Sequence, residues 1–167
     1  MIVYTKVPHE TFKAAAHLVV TGRKRKYSDV KIILAHLGGA TPFLAPRVAV
    51  LSRHMGSQLT TEEMLEDFKS FYYDTALTAY DATLTALDKF VQPDHILFGT
   101  DFPGKSYSTL SSHTSLIVPL SAVNMEMAGW YTKNVDEHYA GDTKSEMVLR
   151  DNAVKLFPKL QNIMTAK

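Results

Sequence analysis

Apolar residues recur at helical spacing over residues 9–21, "HETFKAAAHLVVT", where Phe12, Ala15, Ala16, Val19 and Val20 share a face. Gly22 follows as a C-cap. The cations of "RKRKYSD" then suit a solvated turn at a helix C-terminus better than a nucleic-acid contact. "VKIILAH", 30–36, is a short continuous apolar run bounded by turn signals, which predicts a strand buried on both faces, as in parallel sheets. Residues 42–54 predict a helix with proline near its start. In "LTTEEMLEDF", Thr60 stands three residues before Glu63, a capping box, with Met64, Leu65 and Phe68 as the apolar stripe. The aromatic, β-prone run 70–77, "SFYYDTAL", predicts a second strand. Residues 80–91 predict a helix with Leu84, Leu87 and Val91 on one side, and "HILFGTD", 95–101, a third strand. The Ser- and Thr-rich stretch 104–121 shows no period and predicts a long loop, chiefly 105–121. Helices over 123–139 and 144–157 close the chain.

Strands alternating with helices argue an α/β fold with a parallel sheet, in one domain of 167 residues. A 21% charged fraction and a net charge of +1 give no broad field for nucleic acid or a membrane surface. No run of roughly 18 apolar residues predicts a membrane span. "MIVYTKVPHE" lacks the basic start and apolar stretch of a secretion signal. The chain has no cysteine, so thiolate metal sites and disulfides are excluded and a cytoplasmic setting is expected.

The candidate chemistry gathers where predicted strands end, the end at which βα folds build sites. Asp101, after "ILFGT", suits a metal ligand or general base, and equally a turn cap. His36 ends "IILAH" and suits an acid/base or a partner beside a metal, or a satisfied core histidine. Arg47, in an otherwise apolar helix, suits a fork for a carboxylate or a surface ion pair. Asp74, in "YYDT", suits a residue behind the site or a turn cap. His9, His17, His54, His95, His113 and His138 show no i, i+2 or i, i+4 pairing and are expected to be structural.

Taken together, "KIILAHLGGATPFLAPR", "FYYDTAL" and "HILFGTDFP" resemble the C-terminal half of the amidohydrolase-2 family, which includes metal-dependent decarboxylases of small aromatic and enoic acids. The resemblance covers residues 9–103 and 144–158, where "RDNAVKLF" is similar to the family's last helix with Asp151 in place of a glycine. It implies a (β/α)8 barrel with its site at the strand C-termini, of which this chain holds the last three βα units. It implies that Asp101 is a zinc ligand, that His36 moves a proton beside the metal, and that Arg47 holds a substrate carboxylate across a dimer interface. Asp74 and Phe102 would join it around the substrate.

A full barrel takes ~250 residues, and the other metal ligands of the family have no match here. Three functions therefore stand. The first is a decarboxylase-type carbon–carbon lyase acting on a small carboxylic acid. The second is a metal-free catalyst or binding protein of secondary metabolism, without cofactor, using His36 and Asp101 as acid and base. The third is an inactive fragment or partner of a full-length paralogue. The first and third strands are expected to be open edges, covered by self-association into a homo-oligomer.

Overall fold

Parallel strands cannot be joined by tight turns, so each must be followed by a long crossover. The computed structural model, which describes residues 2–101 and 120–161, meets that requirement with helices. Helices α1 (Ile2–Val20) and α2 (Arg23–Lys26) precede strand β1 (Ile33–Leu34). A 3₁₀ turn at His36–Gly38 leads into α3 (Thr41–His54) and α4 (Thr61–Lys69). Strand β2 (Tyr72–Asp74), helix α5 (Asp81–Asp88), a 3₁₀ turn at Pro93–His95 and strand β3 (Ile96–Leu97) follow. The chain continues in α6 (Leu120–His138), α7 (Lys144–Glu146), a π turn at Met147–Asp151 and α8 (Asn152–Leu156). The sheet order is β1-β2-β3, with Leu34 beside Tyr73 and Asp74 beside Leu97, both pairs parallel.

The central strand is sealed. Tyr73 is fully buried between α4 and the α5 side of the core, and its hydroxyl donates to the Phe68 carbonyl at 2.7 Å. That bond removes the penalty of burying a phenol, whose pKa burial pushes far up. Ala15 on α1 and Ala45 and Ala49 on α3 are fully buried, and these two helices pack against each other and against α4. The expected capping box is present: Thr60 Oγ1 accepts from the Glu63 N–H at 3.1 Å, and Glu63 Oε2 accepts from the Thr60 N–H at 2.8 Å. Met64 and Phe68 of its stripe are fully buried.

Several boundaries differ from those read in the sequence. The strands are two or three residues long: φ turns positive at His36, two residues past β1, and directly after β3 the Phe98 N–H bonds to Val148 rather than to the sheet. Helix α1 starts near Ile2 rather than His9 and carries Pro8 within it. "RKRK" is a helical turn, not a loop, and its Lys24 is buried. Residues 120 and 121, expected in the long loop, are helical, while 102–119 lie outside the described residues.

The outer edge of β3 is not open. The Phe98 N–H donates to the Val148 carbonyl of the π turn at 3.0 Å. Asn152 Nδ2 donates to the carbonyls of Ile96 at 2.9 Å and Pro93 at 2.7 Å. The closing helix therefore covers one of the two edges expected to be bare. The other edge, on β1, pairs with no strand among the described residues. No described helix is long and apolar enough to cross a membrane.

Candidate active site

Because the strands are parallel and in register, their C-terminal ends share one side of the sheet. β1 delivers His36 there, β2 ends in Asp74, and β3 leads to Asp101. The described non-glycine residues with positive φ are His36 (59°), Leu37 (52°), Leu77 (50°) and Asp101 (60°). Each follows a strand end, and each costs roughly 1–3 kcal/mol that the surrounding structure must repay. All four thus lie on the side of the sheet where the strands end.

Asp74 ties the group together. Its Oδ1 accepts from the backbone N–H of His36 at 3.0 Å and of Ala76 at 3.1 Å. His36 Nδ1 lies 2.9 Å from the Ala76 carbonyl. A carbonyl only accepts, so Nδ1 carries the hydrogen and Nε2 is left for other chemistry. Burial of Asp74 raises its carboxyl pKa above the usual range. The two N–H bonds and the charge of His36 oppose that rise, and the like charge of Asp101 adds to it. His36 and Asp74 are thus a hydrogen-bonded unit, with Asp101 within electrostatic reach of Asp74.

Two further elements fix the unit. Thr75, fully buried, donates from Oγ1 to the Gly99 carbonyl at 3.1 Å and accepts from the Gly99 N–H at 3.1 Å, stitching the exits of β2 and β3 together. After His36 the chain passes through Gly38, packed against the Tyr73 ring, and Gly39, packed against the Pro8 carbonyl of α1. Both have positive φ, and neither position has room for a side chain. Sequence reading passed over Thr75; its sole signal was its place directly after Asp74 at a strand end.

Arg47 is not part of the unit. It lies on the exposed face of α3 near Phe43, which is 67% exposed, and makes no hydrogen bond or ion pair with another described residue. Phe102 lies outside the described residues. Of the other histidines, His95 donates from Nδ1 to the Phe71 carbonyl at 2.8 Å, His9 Nδ1 lies 2.7 Å from the Thr5 carbonyl, and His138 sits between Asp81 and Asp88 at 2.9 and 3.0 Å. His113 lies outside the described residues.

The group does not form a metal centre by itself. Protein zinc sites use about three or four ligands. Among the described residues no group of three or more histidine or carboxylate side chains is placed to hold an ion. His36 Nδ1 is committed to a carbonyl and Asp74 Oδ1 to two N–H groups, so the described residues do not by themselves fit a zinc ion.

Comparison with known proteins is consistent with this architecture. A family model described as amidohydrolase matches residues 5–159. The 6-methylsalicylic acid decarboxylase of Aspergillus aculeatus is 35% identical over 163 residues, covering 92% of this chain and 43% of that protein. The corresponding enzyme of Penicillium expansum is 33% identical over 161 residues, covering 94% of this chain and 44% of that protein. Among solved structures, a dihydroxybenzoic acid decarboxylase from Polaromonas, with bound manganese and the inhibitor 2-nitroresorcinol, superposes with a TM-score of 0.67 at 23% identity. That superposition covers 92% of this chain and 41% of the other. The chain spans less than half the length of these relatives, and its three parallel βα units are consistent with part of a barrel of this type. With a family model matched across nearly its whole length, the chain belongs to the amidohydrolase family.

Proposed function

We propose that this chain acts in the decarboxylation of a small aromatic carboxylic acid, with His36 and Asp101 as its reacting side chains. The observation that carries the proposal is the convergence of His36, Asp74 and Asp101 at one end of the sheet, in a chain whose curated relatives include 6-methylsalicylic acid decarboxylases. In this reading the protonated His36 gives its Nε2 proton to the ring carbon that bears the carboxylate. The carbon–carbon bond then breaks, its electron pair returns to the ring, and CO2 leaves. The Ala76 carbonyl keeps Nδ1–H in place throughout, so the ring presents Nε2 in one orientation. Asp74 holds the His36 backbone and is a positioning residue.

Zinc, which the family resemblance implies, would draw Asp101 from the described residues and its remaining ligands from elsewhere. Self-association belongs to the same proposal: it would cover the unpaired edge of β1 and let Arg47 reach a carboxylate at the site of a second copy.

The test is CO2 release from 6-methylsalicylate by the purified chain, with zinc or manganese added and 3-methylphenol as the second product. His36→Asn tolerates positive φ and keeps the backbone bond to Asp74, yet cannot serve as an acid near neutral pH. It is expected to lower turnover by about 10²–10⁴-fold. No turnover by the wild-type chain, or equal turnover by His36→Asn, would contradict the proposal.

A further inference from the structure

At the opposite end of the sheet, the segments leading into the three strands enclose a cleft of about 430 Å³. That volume suits a small ligand. Its charged lining is mostly cationic: Lys24, Arg25 and Lys31 face it, against the carboxylate of Asp67.

Lys24 is the unusual member. It is 4% exposed, yet its ammonium makes no hydrogen bond or ion pair with any described residue. The contact it does make is with the Phe71 ring, whose centroid lies 5.2 Å away. Buried cations are ordinarily paired, because burial without a counter-charge is costly. The nearby carboxylate is shared with Arg25, whose Nε donates to Asp67 Oδ2 at 3.2 Å. Arg25 is used as well, giving its other nitrogens to the Glu63 carboxylate and carbonyl, both at 3.0 Å. Neither Lys24 nor Lys31 forms an ion pair among the described residues; burial lowers the Lys24 pKa, the Asp67 charge offsets part of that, and Lys31 lowers it further. Tyr72 and His95 add a flat wall, stacked at 4.7 Å.

We propose that this cleft binds a small tetrahedral oxyanion of the phosphate or sulfate class, with Lys24 as the buried counter-charge and Lys31 at the mouth. Two ammonium point charges suit a tetrahedral oxyanion, whereas the planar fork that favours a carboxylate, Arg25, is occupied. The cleft lies away from the strand C-termini, so the proposal is independent of the catalytic reading.

The experiment compares thermal unfolding in sodium phosphate, sodium sulfate, sodium benzoate and sodium chloride at equal ionic strength. Phosphate and sulfate are expected to raise Tm saturably, with chloride and benzoate giving less. Lys24→Met is expected to unfold at or above the wild-type Tm without added phosphate, since it removes a buried charge that forms no ion pair, and to weaken phosphate binding by roughly 30-fold or more. Lys31→Met, at an exposed position, tests the same site with less risk to folding and is expected to weaken binding several-fold. Lys13→Met, in an exposed pair with Glu10 on α1, is expected to keep the full response. A phosphate shift matched by chloride or exceeded by benzoate, or retained in both Lys24→Met and Lys31→Met, would overturn the proposal.

Discussion

Asp74 Oδ1 accepts the backbone N–H of His36 at 3.0 Å, so the carboxyl group at the end of β2 sets where the residue leaving β1 stands. The same oxygen takes the N–H of Ala76, whose carbonyl orients the His36 ring. One side chain therefore fixes both the backbone and, indirectly, the imidazole of the neighbouring strand end.

Removing that acceptor leaves two half-buried N–H groups without their partner. Asp74→Ala is expected to lower stability by about 1–3 kcal/mol. Asp74→Asn keeps an oxygen at Oδ1 and should lose less. Urea unfolding midpoints of the two variants measure the difference.

The pH dependence follows from the raised pKa of Asp74, caused first by burial. A carboxyl group with a raised folded-state pKa holds its proton longer in the folded chain than in the unfolded one. Its contribution to stability is full below the ordinary aspartate pKa of 3.8 and is lost as pH rises through the folded-state value. Wild type should therefore lose stability relative to Asp74→Asn as pH is raised through that window. Paired denaturation curves from pH 3 upward test the sign; a relative gain would refute it.

Gly56, just past α3, and Gly39, in the turn after His36, both have positive φ but require glycine for different reasons. At Gly56, φ is +94° and nothing crowds the position, so Gly56→Ala should cost only the backbone strain, about 1–2 kcal/mol. At Gly39, φ is +59° and an added methyl would meet the Pro8 carbonyl of α1. Gly39→Ala should cost clearly more, from that contact and from a ψ of −119° that only glycine adopts readily at positive φ, and Tm values of the two variants side by side measure the difference.

Asn152 closes the outer edge of β3 with two donated bonds, and its Oδ1 is buried without a partner. Asn152→Ala strands two carbonyls and should cost about 2 kcal/mol. Amide exchange at Phe98 should quicken in the variant, because its bond to Val148 relies on the same turn.

Much of this was legible in the residues themselves. The alternation of apolar runs with helical stripes foretold the parallel order, and Thr60 with Glu63 foretold a helix start that is present. The placement of His36, Asp74 and Asp101 at strand ends followed from the same alternation. What was hidden depends on contacts distant in sequence. "RKRK" reads as four solvated cations, yet the docking of α2 buries Lys24 over Phe71. Asn152 reads as one polar residue of a closing helix, and only the fold brings it to Ile96, 56 positions earlier. The strands fall short of the apolar runs because composition reveals neither the positive φ at His36 nor the bond that takes the Phe98 N–H to Val148.

The most direct test of the shared site is an NMR titration of the chain with 6-methylsalicylate, following the His36 imidazole and the Asp101 carboxyl resonances. Saturable shifts at both, with matching dissociation constants and loss of the Asp101 shift in His36→Asn, are the predicted result. Shifts at one residue without the other, or none at either as the ligand is raised, would contradict it.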